Sequence, residues 1–136
     1  MTTERYDYFI SIYNKFVTYT NDQVSQRSKD IAFMYSQLSI EFSAVTHELD
    51  DAITDIRIEE GKVYNRFKND KNIAYTKVEI ESYYIMQDEK VIELHKKRNM
   101  LKSQALFFEN CLRGLINMGH GIRGFIDAEK FYHGEM

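Results

Sequence analysis

The chain has 136 residues, enough for one domain, and its lack of proline permits long uninterrupted helices. The single cysteine, Cys111, excludes an intrachain disulfide and a zinc site built from several cysteines. The net charge of −3 argues against a uniformly basic surface, and no stretch is long and apolar enough to span a membrane.

Apolar residues at helical spacing predict two helices in the first half of the chain. The first covers roughly residues 3–19 and is followed by a turn at Thr20-Asn21-Asp22, whose side chains can cap the next helix. In the second helix, apolar positions step by three or four over residues 31–56, which is typical of a coiled-coil-like seam. The same spacing continues to Phe67, predicted as a core residue, with Gly61 as a weak point.

A connection and a further long helix are predicted next. Residues 69–73 favour a turn because Asn and Asp side chains compete for backbone hydrogen bonds. The following helix should begin between Tyr75 and Val78 and end at Gly119-His120-Gly121, because two glycines so close together favour termination. The Tyr- and Ile-rich stretch 80–86 leaves a strand open as an alternative.

The C-terminal residues are predicted to form a short separate helix, with Ile122, Phe125 and Ile126 on one face, and a loose tail from Tyr132. The fold class is therefore all-α: one domain over residues 1–136, in which long helices form a hairpin with coiled-coil-like seams. Two long seams present more apolar surface than an intramolecular pair easily covers, which favours a homo-oligomer. The alternative is that the seams pack only on each other.

The sequence contains no pattern typical of catalysis or metal binding. None of the four histidines has a glutamate three residues before it, as helical di-metal sites require. The neighbours of Cys111 offer nothing to activate its thiol, so it is predicted to be a buried packing residue. His47, Glu48, Asp50 and Asp51 are interpreted as a solvated acidic face. We therefore predict no catalytic residues, no metal site and no cofactor.

Charge is segregated along the chain. Residues 41–60 have a net charge of −6, whereas residues 61–102 have a net charge of +4. The basic part is interleaved with aromatic residues, and such a mixture suits single-stranded DNA, whose phosphates attract cations and whose bases stack on rings. Both this stretch and a second basic run, Lys96-Lys97-Arg98 followed by Lys102, are also compatible with ordinary surface charge. The candidate DNA-binding residues are Lys62, Tyr64, Arg66, Lys68, Lys71 and Lys77.

The order of residues from 75 to 131 resembles that of the UvsY-type recombination mediators of tailed bacteriophages. A weaker similarity begins at Tyr35-Ser36 and includes Ser43 and Glu48. The support is the colinearity of these positions, together with chain length and helical pattern. In the C-terminal part the resemblance is carried by Tyr75-Thr76-Lys77 with Glu79, Asp88, Val91, Cys111-Leu112, Gly121, Ile122, Ile126 and Phe131.

The resemblance implies a non-enzymatic protein that forms a ring-like homo-oligomer of about six to eight subunits in the cytoplasm of an infected bacterial host. Its implied partners are single-stranded DNA, a phage RecA-like recombinase and the phage single-strand-binding protein. The protein would load the recombinase onto DNA that the single-strand-binding protein covers.

The resemblance also assigns roles to the two halves of the chain. Residues 1–68 would hold the N-terminal helices and a DNA-binding stretch, Gly61-Lys62-Val63-Tyr64-Asn65-Arg66-Phe67, in which Lys62 matches a basic position of the family and Arg66 matches a second after a slight shift of register. Residues 74–136 would serve self-assembly. The residues implied there are Phe108, Leu112, Leu115, Ile116, Ile122, Phe125 and Ile126.

Two other classes of function stay open. The acidic net charge favours a helical coiled-coil adaptor or assembly protein that does not bind DNA. A small enzyme that uses the histidines and carboxylates is the second alternative. Stoichiometric metal in the purified protein would support the enzyme.

Overall fold

The computed structural model describes residues 1–132 and 134, and every regular element among them is helical. The predicted all-α fold class is therefore confirmed, and the strand alternative for residues 80–86 is wrong. Of the loose tail predicted from Tyr132, Tyr132 itself is the last residue of the C-terminal helix, and only Gly134 of the remainder falls within the described residues. In chain order the elements are α1 (Thr3–Val17), a 3-10 turn (Asn21–Gln23), α2 (Val24–Lys68), α3 (Lys77–Glu79), a π-helical turn (Ile80–Tyr84), α4 (Ile85–Gln87) and α5 (Glu89–Tyr132).

The helix starts are fixed by side chains that replace missing intrahelical partners. The hydroxyl of Thr2 accepts a hydrogen bond from the backbone N–H of Arg5 at 3.3 Å, and that of Thr76 accepts from Glu79 at 3.2 Å. In the connection after α2, the carboxylate of Asp70 accepts from the N–H of Asn72 at 2.8 Å. This contact forms the turn predicted from the Asn- and Asp-rich sequence.

Two predicted helix boundaries are wrong. The helix expected to start between Tyr75 and Val78 and continue to residue 119 is divided at Asp88, whose extended backbone (φ −66°, ψ 124°) separates α4 from α5. The expected break at Gly119-His120-Gly121 is absent, so the residues of the predicted short C-terminal helix belong to α5. Burial of Ile122, next to the glycines, outweighs their poor helix propensity of about 1 kcal/mol each.

The backbone forms two compact units: one of Met1–Ala44 with Gln104–Met136, and one of Val45–Ser103. In the first unit, α1 packs on α5 through aromatic side chains. The ring of Phe9 meets that of Phe108 edge-on with centroids 5.6 Å apart, and Tyr6 meets Phe107 at 5.2 Å. Phe108, Leu115 and Ile122 recur every seven residues along α5 and are fully or almost fully buried. This spacing keeps them on one face of the helix, which forms the core of the unit.

In the second unit, a buried cluster of Val63, Ile80, Ile85 and Val91 joins the end of α2 to the start of α5. Ile80 and Ile85 are five residues apart, a spacing that would separate them on an α-helix. The π-helical turn between them has hydrogen bonds from residue i to i+5, so one turn brings both isoleucines to the same face. The local helix type is thus explained by the burial of both side chains.

Cys111 is buried in the first unit, and this burial raises the pKa of its thiol to about 12. We expect the native protein to react slowly with a chromogenic disulfide reagent at about pH 8 and to react fully after unfolding in urea, because the thiolate is the reactive form. The free energy of unfolding should also decrease above about pH 8.5, where the thiol ionises in the unfolded chain only. Rapid stoichiometric labelling of the native protein would contradict this prediction.

Candidate nucleic-acid interface

Lys62 and Arg66 lie on the solvent side of the last turns of α2, within the second unit. Val63 is buried and fixes which face of the helix turns towards the core. The Lys62 and Arg66 side chains are four residues apart and so lie on neighbouring turns of the helix, and each is 65% exposed. The structure therefore brings together the first two predicted phosphate contacts.

Each of these cations lies close to a carboxylate. The Lys62 ammonium lies 3.8 Å from the carboxylate of Glu59, which also accepts Lys90 at 3.4 Å. One Nη atom of Arg66 lies 3.3 Å from Oδ1 of Asp88. In each pair the cation is 65% exposed although its carboxylate partner is only 14% or 18% exposed, so phosphates in a DNA strand can reach these cations and compete for them.

The carboxylates also define an open groove between the end of α2 and the start of α5. Its volume is about 660 Å³, and four carboxylates and two cations line it. The groove is acidic overall, so the exposed cation heads, not its interior, are suited to phosphate contact. The lining residues are Glu59, Arg66, Gln87, Asp88, Glu89, Lys90 and Glu93.

The aromatic residues near this site are mostly engaged within the protein. Phe67 stacks on Tyr84 with ring centroids 4.3 Å apart, and Tyr75 meets both rings edge-on. Tyr64 is half-buried against the hydrophobic cluster. The prediction that Phe67 is a core residue agrees with this packing. Tyr83, which the sequence reasoning missed, is 54% exposed and is the better placed of these rings for stacking on a base.

The remaining predicted cations are exposed and follow the first two along the chain. Lys68 ends α2, Lys71 lies in the connection, and Lys77 begins α3 with its ammonium 3.9 Å from Glu81. In the second basic run, Lys96 pairs with Glu93 at 3.5 Å, and Arg98 donates to the side chain of Asn99 at 3.0 Å. Lys90 was not among the predicted site residues, although it is the first cation of the helix that follows Asp88.

The residues implied for self-assembly divide into three groups by their burial. Phe108, Leu115 and Ile122 are buried inside the first unit, so they support the core and do not reach the surface. Ile116 and Phe125 are 49% and 38% exposed and are available to another copy. Leu112 and Ile126 are half-buried.

Within residues 1–132 and 134, no three His, Cys, Asp or Glu side chains are grouped so as to hold a metal ion. Over the same residues, the helices are too short or too polar to cross a bilayer.

The fold thus defined is all-helical, with long α2 and α5 running antiparallel within each compact unit and a π-helical turn before α5. A crystal structure of the bacteriophage T4 recombination mediator protein UvsY has the same fold: the TM-score is 0.78, 98% of each chain is covered, and 15% of residues are identical. The predicted UvsY-type fold is therefore confirmed. No protein-family model matches the sequence, and no curated protein matches it significantly.

Proposed function

We propose that this protein is a recombination mediator that binds single-stranded DNA and loads a phage RecA-like recombinase onto DNA covered by single-strand-binding protein. The observation that carries the proposal is the shared fold with the T4 recombination mediator over 98% of both chains. The extent of this likeness supports a role for the exposed cations Lys62 and Arg66 of α2 in such a mediator.

In the proposed mechanism, the heads of Lys62 and Arg66 neutralise phosphates along one side of α2. Lys68, Lys71 and Lys77 extend the basic surface through the connection that follows. Tyr83 meets Tyr84 edge-on but is 54% exposed, so a base can stack on its ring, and the half-buried Tyr64 adds a second ring at this surface. Such contacts hold a strand by its backbone and ring faces, which are independent of sequence.

Self-assembly strengthens these contacts. A ring-like homo-oligomer of about six to eight subunits repeats the basic surface, so the affinity for a long strand exceeds that of one protomer. A protomer with a net charge of −3 can thus bind a polyanion along one face. We place the contacts between copies at the exposed Ile116 and Phe125 of α5, and the complex in the host cytoplasm.

The function is tested by following ATP hydrolysis by a RecA-like recombinase on single-stranded DNA already covered by single-strand-binding protein. The mediator should shorten the lag before hydrolysis, because it favours the recombinase filament over the covering protein. On uncovered DNA, the matched control, the lag is short and should change little. An unchanged lag on covered DNA would exclude the mediator role.

A helical adaptor that does not bind DNA is the second candidate. It is favoured by the carboxylates next to Lys62 and Arg66, which reduce the potential that DNA would meet. An adaptor should still assemble in solution, yet leave the recombinase lag unchanged and show no affinity for a single strand.

A further inference from the structure

Asp88 makes two different contacts with the two oxygens of one carboxylate. Oδ2 accepts a hydrogen bond from the backbone N–H of Val91 at 3.0 Å, which caps the first turn of α5. Oδ1 lies 3.3 Å from Nη2 of Arg66 on α2. The cap fixes the position of the carboxylate, and the side chain is only 18% exposed. Asp88 is therefore an anion held in place by its cap, while the Arg66 head is 65% exposed and can be reached by a phosphate.

The surroundings favour a negative charge at this position. The N-terminus of a helix carries a partial positive charge that stabilises an anion. Arg66 is the cation paired with this carboxylate, because Lys90 pairs with Glu59 at 3.4 Å and Lys96 pairs with Glu93 at 3.5 Å. A phosphate that binds Arg66 must therefore compete with Asp88.

We propose that Asp88 is a built-in competitor of the DNA backbone: it holds the Arg66 guanidinium in the free protein and releases it when a phosphate binds. The inference rests on the proposed binding of single-stranded DNA. Release of Arg66 leaves the Asp88 carboxylate unpaired, so part of the gain from the new phosphate contact is lost. The carboxylate thereby weakens binding and reduces its dependence on salt.

Asp88→Asn separates the two contacts, because asparagine and aspartate are equally good caps, whereas the amide has no charge for Arg66. We expect this variant to bind a fluorescently labelled oligothymidylate about fivefold more tightly than the wild type. The slope of log affinity against log salt should become steeper by up to about 0.7, the contribution of one phosphate contact. Asp88→Ser should behave in the same way, because serine is also a good cap. This second variant keeps the test informative if Asp88→Asn does not fold.

The matched control is Glu93→Gln, which removes one charge from the same groove but not from Arg66. Its affinity should stay close to that of the wild type. In an Arg66→Ala background, Asp88→Asn should give no gain. A gain that persists without Arg66, or an equal gain for Glu93→Gln, overturns the inference. If the wild type binds and the Asp88 variants match it, this inference alone fails, whereas no binding by the wild type overturns the proposed DNA binding as well.

Discussion

Phe108→Ala is expected to lower the free energy of unfolding by about 3–5 kcal/mol, the range for removal of a fully buried aromatic ring. Phe108 has no exposed surface and meets the rings of Phe9, Tyr6 and Phe107 edge-on. The contacts with Phe9 and Tyr6 attach α1 to α5 within the first unit. Alanine would leave a cavity at their centre and remove the aromatic pairing together with the buried area.

Urea denaturation followed by circular dichroism measures this loss. The matched control is Leu106→Ala, on the same helix but with a side chain that is mostly exposed, for which we expect a change within about 0.5 kcal/mol. The α1 segment of Phe108→Ala should also become more sensitive to proteases. Equal losses for the two variants would mean that the packing of α1 on Phe108 is not a main source of stability.

Lys62→Ala combined with Arg66→Ala is expected to weaken binding to single-stranded DNA at least tenfold. Each side chain supplies one phosphate contact, so the slope of log affinity against log salt should flatten by about 1.4. Both side chains are exposed and make only surface ion pairs, so the fold and assembly should be preserved. In a ring, the loss at every protomer multiplies the effect on a long strand.

The control for this pair is Lys96→Ala with Lys97→Ala, which removes the same charge from the second basic run. Light scattering should give the same mass for both double variants and the wild type. If both double variants lost the same affinity for DNA, the binding would be a general electrostatic attraction and not a specific site at the end of α2. Unchanged binding after loss of Lys62 and Arg66 would remove these residues from the interface.

The long helices were predictable because their cores depend on local spacing. The three- and four-residue steps that continue to Phe67 identify α2 and its buried face, and burial outweighs the low propensity of Gly61 inside it. The break at Asp88 was missed, although an aspartate directly before an apolar helix is a capping signal. The glycines at 119 and 121 led to a wrong prediction of a helix end. Their unfavourable effect on helix stability is smaller than the favourable effect of burying Ile122.

At the candidate site, the exposure of Lys62 and Arg66 was predictable because Lys and Arg side chains keep their charged heads in water. The pair of Lys62 with Glu59 also follows from helical spacing, whereas the carboxylate partner of Arg66 does not. Asp88 is 22 positions from Arg66, and only the packing of α2 against α5 brings them together. The π-helical turn, which exposes Tyr83 and directs Tyr84 towards Phe67, also has no simple sequence signature.

The most direct test of DNA binding is a titration of the wild-type protein into a fluorescently labelled single-stranded oligonucleotide, followed by anisotropy at low and moderate salt. We expect tight binding at low salt that weakens steeply as salt increases, because several cations per assembly contact phosphates. Absence of binding even at low salt would contradict the proposal. This protein would then be a helical adaptor that shares only its fold with the T4 mediator.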